Sequence, residues 1–297
     1  MIINSQSLEL LRVGFKTLFQ EGLGMTAPMW EKIATRVPSM AGTEKYGFLG
    51  ELPGMRVWEG SRALHALRES DYSLKNLPYE NTVAVDRDAI ADDALGQNAP
   101  RFKQLGKTTR AQYDILSWAL LKAGFATNCY DGQFFFDTDH PVLDAAGAVQ
   151  PVANTDGGAG TAWFLIDSSQ VMLPIILQVR KEWEFAAMDR ATDPNVFMNK
   201  KFLYGVDGRC AAGYGFWQFA WGSKQALTAA NYAIARAALS SMKADYGRPL
   251  GVMPNLLIVP PGLEQAGRDL VISATGAAGA TNPWKGSAEL AVVPWLA

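Results

Sequence analysis

The block Phe202–Trp221 constrains the fold of this chain most strongly, because it is rich in packing groups and poor in reactive ones. It holds seven aromatic side chains and four glycines in FLYGVDGRCAAGYGFWQFAW. Apolar residues alternate with other residues from Phe202 to Val206 and again from Trp217 to Trp221. A period of two predicts β-strands, and aromatic side chains dominate core and interface energetics. The block therefore indicates either a large packed core or a protein that packs against copies of itself.

The composition argues against a protein whose main task is to grip nucleic acid. The 297 residues carry a net charge of −2, and no long run of lysine or arginine occurs. Neutralising phosphates requires clustered cations, which this sequence lacks. Only 19% of the residues are charged, which is low for a globular chain and favours a surface partly hidden in an assembly.

Cysteine usage and the absence of targeting patterns predict an intracellular chain without a membrane partner. Cys129 and Cys210 are the only cysteines, so we expect both to be reduced and buried. The start MIINSQSLELLRVGF lacks the pattern of a secretory signal. No apolar run reaches the roughly 18 residues that a membrane span needs.

Hydrophobic periodicity predicts an α+β fold. The strongest helical pattern lies between Pro100 and Gly124. Further helices are predicted over 4–21, 29–34, 228–244 with Thr228 as N-cap, and 262–273. Strands are predicted over 162–167, 175–188, the aromatic block, 255–260 and the closing ELAVVPWL. Because helices and strands mix without regular βαβ alternation, α+β is favoured over a doubly wound sheet.

Residues 36–86 read as an extended hairpin with few core positions of its own. An isolated hairpin is marginally stable in water, so this one implies support from a neighbouring subunit. Its basic residues show no aligned aromatic platform for bases, and intersubunit salt bridges explain them better. These residues are Lys45, Arg56, Arg62 and Arg68.

Acidic residues and one histidine cluster near Cys129, in the segment DGQFFFDTDH. They are Asp131, Asp137, Asp139 and His140. Such groups can hold a divalent metal, but Asp-Thr-Asp-His-Pro is also turn chemistry. The only other histidine, His65, is far away in sequence. A structural turn is therefore favoured, and a metal-dependent hydrolase using Asp137, Asp139 and His140 is the alternative.

The remaining motifs predict no chemistry. The glycine-rich 157–160 lacks the residues of a phosphate loop, and Ser168 and Ser169 lack a nucleophile elbow. Four acidic residues between a predicted strand and helix fit solvated caps or ion pairs to a neighbour. These are Asp86, Asp88, Asp92 and Asp93. We therefore predict no catalytic, cofactor-binding or metal-ligating residue.

Several long segments resemble one known family in their order and spacing. They are EKYGFLG from residue 44, VDRDAIADD at 85–93, LLKAGFATNCYDGQFFFDTDHP at 120–141, TAWFLID at 161–167, FLYGVDGRCAAGYGFWQ at 202–218, LTAANYAIARAALSSMKADYGRPLGVMPNLLIVPPGLE at 227–264 and the closing WKGSAELAVVPWLA. Together they resemble the major head (capsid) protein of Mu-like bacteriophages, the T-protein family, from about residue 2 to the end.

The resemblance implies the Hong Kong 97-type fold of tailed-phage capsids. In that plan an N-terminal arm covers 1–35 and an extended loop covers 36–85. The peripheral domain covers 86–225 and 281–297, with a spine helix at 101–123, and the axial domain covers 226–280. Phe202–Val206 and Tyr214–Trp221 then become paired strands of the peripheral sheet, with the aromatic block chiefly core.

The resemblance also implies a function. Copies of the chain would form pentamers and hexamers of an icosahedral shell around double-stranded DNA, assembled in the bacterial cytoplasm. Scaffold, portal and decoration proteins are further implied partners, with only weak, non-specific contact with packaged DNA and no cofactor. A tail or baseplate protein is the alternative in the same class.

We expect the main contact between subunits to lie in the extended loop. The predicted contact residues are Tyr46, Phe48, Trp58, Arg62 and Tyr72. Glycines in the same region are the predicted hinges that fit one chain to non-equivalent places. They are Gly42, Gly47, Gly50 and Gly60.

Overall fold

The computed structural model describes residues 5–50, 71–92, 98–276 and 279–297, which form two large sheets with helices packed on them and two small two-stranded sheets. The α-helices are α1 (Ser5–Gly24), α2 (Arg87–Asp92), α3 (Ala99–Ala123), α4 (Pro194–Asn199), α5 (Ala229–Ser240) and α6 (Glu264–Val271). The strands are β1 (Ala34–Pro38), β2 (Thr43–Lys45), β3 (Ser73–Lys75), β4 (Leu77–Asp86), β5 (His140–Leu143), β6 (Val149–Val152), β7 (Thr155–Gly158), β8 (Trp163–Ile166), β9 (Ile175–Met188), β10 (Lys201–Tyr214), β11 (Ala220–Lys224), β12 (Leu256–Val259) and β13 (Glu289–Val292). The two small sheets are β2–β3 and β5–β6.

The first sheet is built around the long antiparallel pair β9 and β10, and its strand order is β1–β9–β10–β4. β1 runs parallel to β9 and pairs only with its first part, residues 175–179. β4 runs antiparallel to β10 and pairs only with residues 201–210. The two flanking strands therefore support opposite ends of the long pair.

Burial changes along the long pair at a β-bulge. Residues 175–179 of β9 are all buried, whereas residues 180–188 alternate between exposed and half-buried. The bulge interrupts the register between Asp207 and Cys210, where Gly208 lies under the ring of Trp183. A Cβ atom on Gly208 would lie 2.4 Å from Trp183 Cε3, so only glycine allows this contact. The far half of the pair packs on one face only.

Helices α1 and α3 cover that face through a core of aromatic side chains. Phe15 of α1 stacks on Phe102 of α3 with ring centroids 4.0 Å apart, and Tyr204 of β10 meets both rings edge-on. The two helices approach most closely at glycines. A Cβ atom on Gly106 would lie 2.1 Å from the backbone oxygen of Phe19, and Gly22 faces Lys103 equally closely. The predicted N-terminal arm thus begins with a helix docked on its own subunit.

The second sheet has the strand order β13–β12–β8–β11–β7. β8 lies at its centre, antiparallel to both β12 and β11. β13 is parallel to β12, and β7 is parallel to β11. Every residue of β8 and β12 is buried, and α5 and α6 contribute side chains to the same large core. The buried strand and flanking helices predicted over 228–273 are confirmed.

One short predicted helix is wrong. Residues 29–34 were predicted as a helix, but only a 3-10 turn over Trp30–Lys32 forms before the chain enters β1. Asp114 of α3 holds the turn, because its Oδ1 accepts hydrogen bonds from the backbone N–H groups of Met29 (2.9 Å) and Trp30 (2.7 Å). Pairing of residues 34–38 with β9 then overrides the local helical pattern.

The predicted pairing within the aromatic block is also wrong. β10 continues without a break from Lys201 to Tyr214 and pairs with β9 and β4. The chain then makes a 3-10 turn over Trp217–Phe219 and enters β11, which belongs to the second sheet. All seven aromatic side chains of the block are buried, so its role as core is confirmed.

The sheets do not follow the predicted domain limits. Of the five strands in the second sheet, only β12 lies within 226–280, the predicted axial domain. β4, predicted as part of the extended loop, is a strand of the first sheet. The division into peripheral and axial domains stays a prediction, with limits that cut through a sheet. No helix among the described residues is long and apolar enough to span a membrane.

The glycine contact between α1 and α3 yields a stability prediction. Gly106→Ala places a methyl group against the backbone of Phe19, so the helices must move apart. We expect the free energy of unfolding, measured by urea denaturation, to fall by about 1–3 kcal/mol. Gly14→Ala on the partner helix α1 is the control, since nothing lies within 4 Å of its added Cβ. It should stabilise the protein by about 0.5–1 kcal/mol, and equal effects of the two variants would contradict the proposed contact.

Candidate assembly site: the anchored base of the extended hairpin

The short strands β2 and β3 pair with each other and carry the start and end of the predicted extended loop. Residues 39–50 and 72–76, together with Gln178 of β9, form what we call the hairpin base. Hydrogen bonds and close packing fix it to the first sheet of its own subunit.

Gln178 is the centre of the hairpin base. It is fully buried in β9, and its side-chain amide both accepts and donates a hydrogen bond. The Tyr46 hydroxyl donates a hydrogen bond to Gln178 Oε1 (2.7 Å), and Gln178 Nε2 donates to the backbone oxygen of Leu74 (3.2 Å). One side chain thus holds both arms of the hairpin. A lone glutamine in the apolar run IILQV was the sequence signal for this role, and pattern reasoning missed it.

The arm that returns from the hairpin is fixed to β10. β4 pairs with β10 only as far as Cys210, and beyond that point the Tyr72 hydroxyl accepts a hydrogen bond from the backbone N–H of Tyr214 (2.7 Å). Leu74 lies directly over Gly213, where an added Cβ would lie 2.3 Å from Leu74 Cδ1. A side chain at position 213 would therefore force the Leu74 side chain to move.

Glu44 closes the turn between β1 and β2. Its Oε1 accepts hydrogen bonds from the backbone N–H groups of Met40 (2.7 Å) and Ala41 (2.8 Å) and from the hydroxyl of Ser39 (2.9 Å). Asn76, on the returning arm, donates from Nδ2 to Ser39 Oγ (2.8 Å) and to the backbone oxygen of Ala41 (2.9 Å). The turn and the returning arm are therefore joined by polar groups.

The ionisable groups of the hairpin base follow their surroundings. Hydrogen bonds from the backbone of Ala41 and Met40, and from Ser39, lower the pKa of Glu44. Burial raises the pKa of Tyr46 and of Tyr72 to about 12 in each case. At neutral pH the base thus holds one carboxylate and two neutral phenols.

The structure places the predicted contact residues unevenly. Tyr46 is only 3% exposed, which leaves little surface for another subunit, and Tyr72 is half-buried against β10. Both hold the hairpin to its own chain. Phe48 lies in a 3-10 helix over Gly47–Gly50. Trp58 and Arg62 lie outside the described residues, so their contact with a neighbour stays a prediction.

The predicted hinges and basic residues are only partly covered by the described residues. Gly42 has no positive φ, and a Cβ added there would meet nothing within 4 Å, so its backbone does not require glycine. Gly60, Arg56 and Arg68 lie outside the described residues. Lys45 is exposed and lies 3.5 Å from Asp71 of its own chain.

Among the described residues, Asp137 and Asp139 do not join His140 in a group of converging ligand atoms, although the carboxyl groups of Asp137 and Asp139 interact with each other. The Asp137 carboxylate accepts hydrogen bonds from the backbone N–H groups of Thr138 (2.7 Å) and Phe134 (3.2 Å), which is the predicted turn chemistry. Asp139 is exposed at the surface, whereas His140 is buried and stacks on Trp217 with ring centroids 3.9 Å apart.

The weaker motifs also have local structural roles. Asp86 accepts a hydrogen bond from the backbone N–H of Asp88 (2.8 Å) at the start of α2, as predicted for a cap. Asp88 lies 3.5 Å from Lys200. Asp92 ends α2, and Asp93 lies outside the described residues. Ser168 and Ser169 bond to Asn255 and Asp167.

The fold matches solved phage capsid subunits along its whole length. The subunit of the bacteriophage JBD30 procapsid has a TM-score of 0.89 at 38% identity, covering 99% of this chain and 100% of that one. The subunit of the JBD30 capsid has a TM-score of 0.78 at 29% identity, with 100% of both chains covered. The protein is therefore a structural subunit of a tailed-phage head with the Hong Kong 97-type fold, and the predicted α+β class is confirmed.

Sequence relatives give the family. The chain is 37% identical over 305 residues to the major capsid protein of Escherichia phage Mu, with 100% of both chains covered. It is 39% identical over 271 residues to the Mu-like prophage FluMu major head subunit of Haemophilus influenzae, covering 89% of this chain and 88% of that one. The family model of the Mu-like prophage major head subunit gpT matches residues 8–296. The chain belongs to this family, which confirms the resemblance.

The buried bond between Tyr46 and Gln178 yields a second prediction. Tyr46→Phe removes the hydroxyl and leaves Gln178 Oε1 without that donor in a buried site. We expect the free energy of unfolding to fall by about 1–3 kcal/mol. Tyr246→Phe, at a tyrosine that is 64% exposed, is the matched control and should change it by less than about 0.5 kcal/mol. Urea denaturation of both variants measures the difference, and an unchanged Tyr46→Phe would refute the anchoring role.

The lowered pKa of Glu44 predicts how stability depends on pH. In the folded state the pKa of Glu44 lies below its usual value of 4.5. The contribution of Glu44 to the free energy of unfolding is therefore fully present above pH 4.5 and is lost as the pH falls through the folded-state pKa. Wild-type stability should therefore fall more steeply below about pH 4.5 than that of Glu44→Gln. Denaturation curves at a series of acidic pH values measure the slopes. Glu264→Gln on α6 is the control, and a slope of Glu44→Gln equal to wild type would sink the idea.

Proposed function

We propose that this chain forms the pentamers and hexamers of an icosahedral head that encloses double-stranded DNA, and that it does so without catalysing a reaction. The observation that carries the proposal is the hairpin base. It ties residues on both sides of the segment 51–70 in sequence, Tyr46 and Tyr72 to Asn76, to β9, β10 and the turn after β1 of the same subunit.

The segment between the two anchored arms would supply the contact with the next subunit. Trp58 and Arg62 are its strongest candidates, because tryptophan and arginine are enriched among the residues that dominate binding energy. Head-to-tail contacts of one surface with another, repeated around a rotation axis, generate closed rings. One extended loop per subunit would therefore be enough to link each copy to its neighbour.

The charge of the chain suits a container for DNA. A net charge of −2 provides no strong attraction to phosphates, so packaged DNA would make weak and non-specific contacts with the shell. Scaffold, portal and decoration proteins are further proposed partners, and assembly would take place in the cytoplasm of the bacterial host. The solved JBD30 capsid that is decorated with minor capsid protein trimers supports a decorating partner.

Assembly of interface variants tests the proposed function. Trp58→Ala and Arg62→Ala should each weaken subunit association by about 2 kcal/mol or more, roughly 30-fold, because hot-spot residues carry that much binding energy. Sedimentation velocity and negative-stain microscopy of the purified chain measure the loss of rings and shells. Urea denaturation of the unassembled subunit should remain unchanged.

Met253→Ala is the matched control, because Met253 is a large apolar side chain that is 71% exposed and distant in sequence from the extended loop. It should assemble like the wild type. If wild type formed only monomers or only tubes, a head protein would be contradicted. If Trp58→Ala and Arg62→Ala assembled normally, the contact segment would be wrong and the head function would stand.

A further inference from the structure

Three side chains of metal-binding types converge in the section from the end of α3 to the start of β5. They are Cys129, Asp131 and His140, and among the described residues this is the one group of three whose possible metal-ligand atoms lie close together. The Cys129 thiol donates a hydrogen bond to Asp131 Oδ1 (3.0 Å), and His140 Nδ1 lies 2.7 Å from Asp131 Oδ2. Sequence reasoning rejected a metal here because it looked for a second histidine and grouped His140 with Asp137 and Asp139.

The hydrogen bonds of Asn154 determine which nitrogen of His140 carries a proton. Asn154 is fully buried, and its Nδ2 faces three backbone carbonyl oxygens, with the Phe135 oxygen nearest at 2.8 Å. Its Oδ1 accepts a hydrogen bond from the backbone N–H of Asp137 (2.9 Å), so the orientation of the amide is fixed. His140 Nε2, 3.2 Å from that same Oδ1, must therefore be a donor.

This assignment leaves two electron-rich atoms facing each other. When the proton of neutral imidazole is on Nε2, the lone pair of Nδ1 points at Asp131 Oδ2. A positive species must lie between them, which is either a second proton or a metal cation. The thiol proton of Cys129 occupies a similar place beside Asp131 Oδ1. A metal cation that binds here would displace both protons, the one between His140 and Asp131 and the one on the Cys129 thiol.

The dimensions and the surroundings fit one small cation. The ligand atoms of the three residues all lie within 4.8 Å of one another, about twice the ~2.0–2.3 Å length of a zinc bond to nitrogen, oxygen or sulfur. One ion can therefore reach all three after small side-chain shifts. His140 is fully buried and Cys129 is 6% exposed, so little water competes for the ligands. A histidine ligand commonly bonds its second nitrogen to an acceptor, as His140 does with Asn154.

The donor set selects the kind of metal. One thiolate, one imidazole and one carboxylate suit a borderline-soft transition metal, whereas magnesium and calcium prefer oxygen ligands alone. We propose that Cys129, Asp131 and His140 bind a zinc-class divalent cation. The ion would have a structural role, since it would tie Cys129 and Asp131 to His140, which already bonds to Asn154 and stacks on Trp217.

Metal binding by the full chain tests the proposal. The purified protein is refolded with zinc, dialysed against metal-free buffer and measured by elemental analysis. We expect a stoichiometric amount of zinc and a higher melting temperature than for protein refolded without metal. Cobalt in place of zinc should give the near-ultraviolet absorption of a thiolate–cobalt bond.

Three variants locate the site. Cys129→Ser should weaken zinc binding at least tenfold. Replacing a residue that only hydrogen-bonds to a metal ligand already lowers metal affinity by about 10–100-fold, and Cys129 is itself a proposed ligand. Cys210→Ser alters the other buried free cysteine, and Asp139→Asn alters a neighbouring carboxylate. Both should bind zinc like the wild type.

Two outcomes would overturn the proposal. In the first, folded wild type retains no zinc, and the cluster then holds protons only. In the second, cobalt binds without a thiolate band, and the ligands then lie elsewhere. Both results come from the wild type alone, so they hold even if Cys129→Ser fails to fold.

Discussion

The antiparallel pairing of β9 with β10 is the constraint on which the rest of the subunit depends. Its first part is buried and pairs with β1, while its far part presents one face to α1 and α3. Gln178 on β9 then bonds to both arms of the hairpin, and Leu74 of the returning arm lies over Gly213 on β10. Helices, hairpin and flanking strands all use this one pair as their support, so an error in its register would displace every one of them.

The sequence predicted those elements whose signal is local. Periodicity identified α1 and α3 within a few residues and β9 with the observed limits, because each has a regular apolar pattern over many residues. It could not say which strand pairs with which. β11 shows the alternation of a strand, but its place beside β8 depends on residues distant in sequence. The resemblance supplied the fold family, and even so the assigned domain limits cut the second sheet.

The partners of His140 and of Tyr46 also could not be predicted from their neighbours in sequence. Asp137 and Asp139 stand beside His140 in sequence, yet His140 turns into the core onto Trp217 and meets Asp131 instead. Tyr46 was predicted as a contact with another subunit, and within its own chain its hydroxyl bonds to Gln178; the contact with a neighbour stays a prediction. An aromatic residue in a loop predicts a contact, and only the fold decides with which surface.

Strand β9 contacts the hairpin base at one end and α3 further along, so it connects the two mechanically. Gln178 bonds to both arms of the hairpin, and Trp183, further along the same strand, packs on Gly208 at the bulge and on Tyr113 of α3. Packed side chains and continuous strands transmit displacement, because close-packed interiors deform little. A displacement of the hairpin base would therefore act through β9 on the surface that supports α3. Under the proposed function, a contact between subunits at the hairpin would reach the helices by this route.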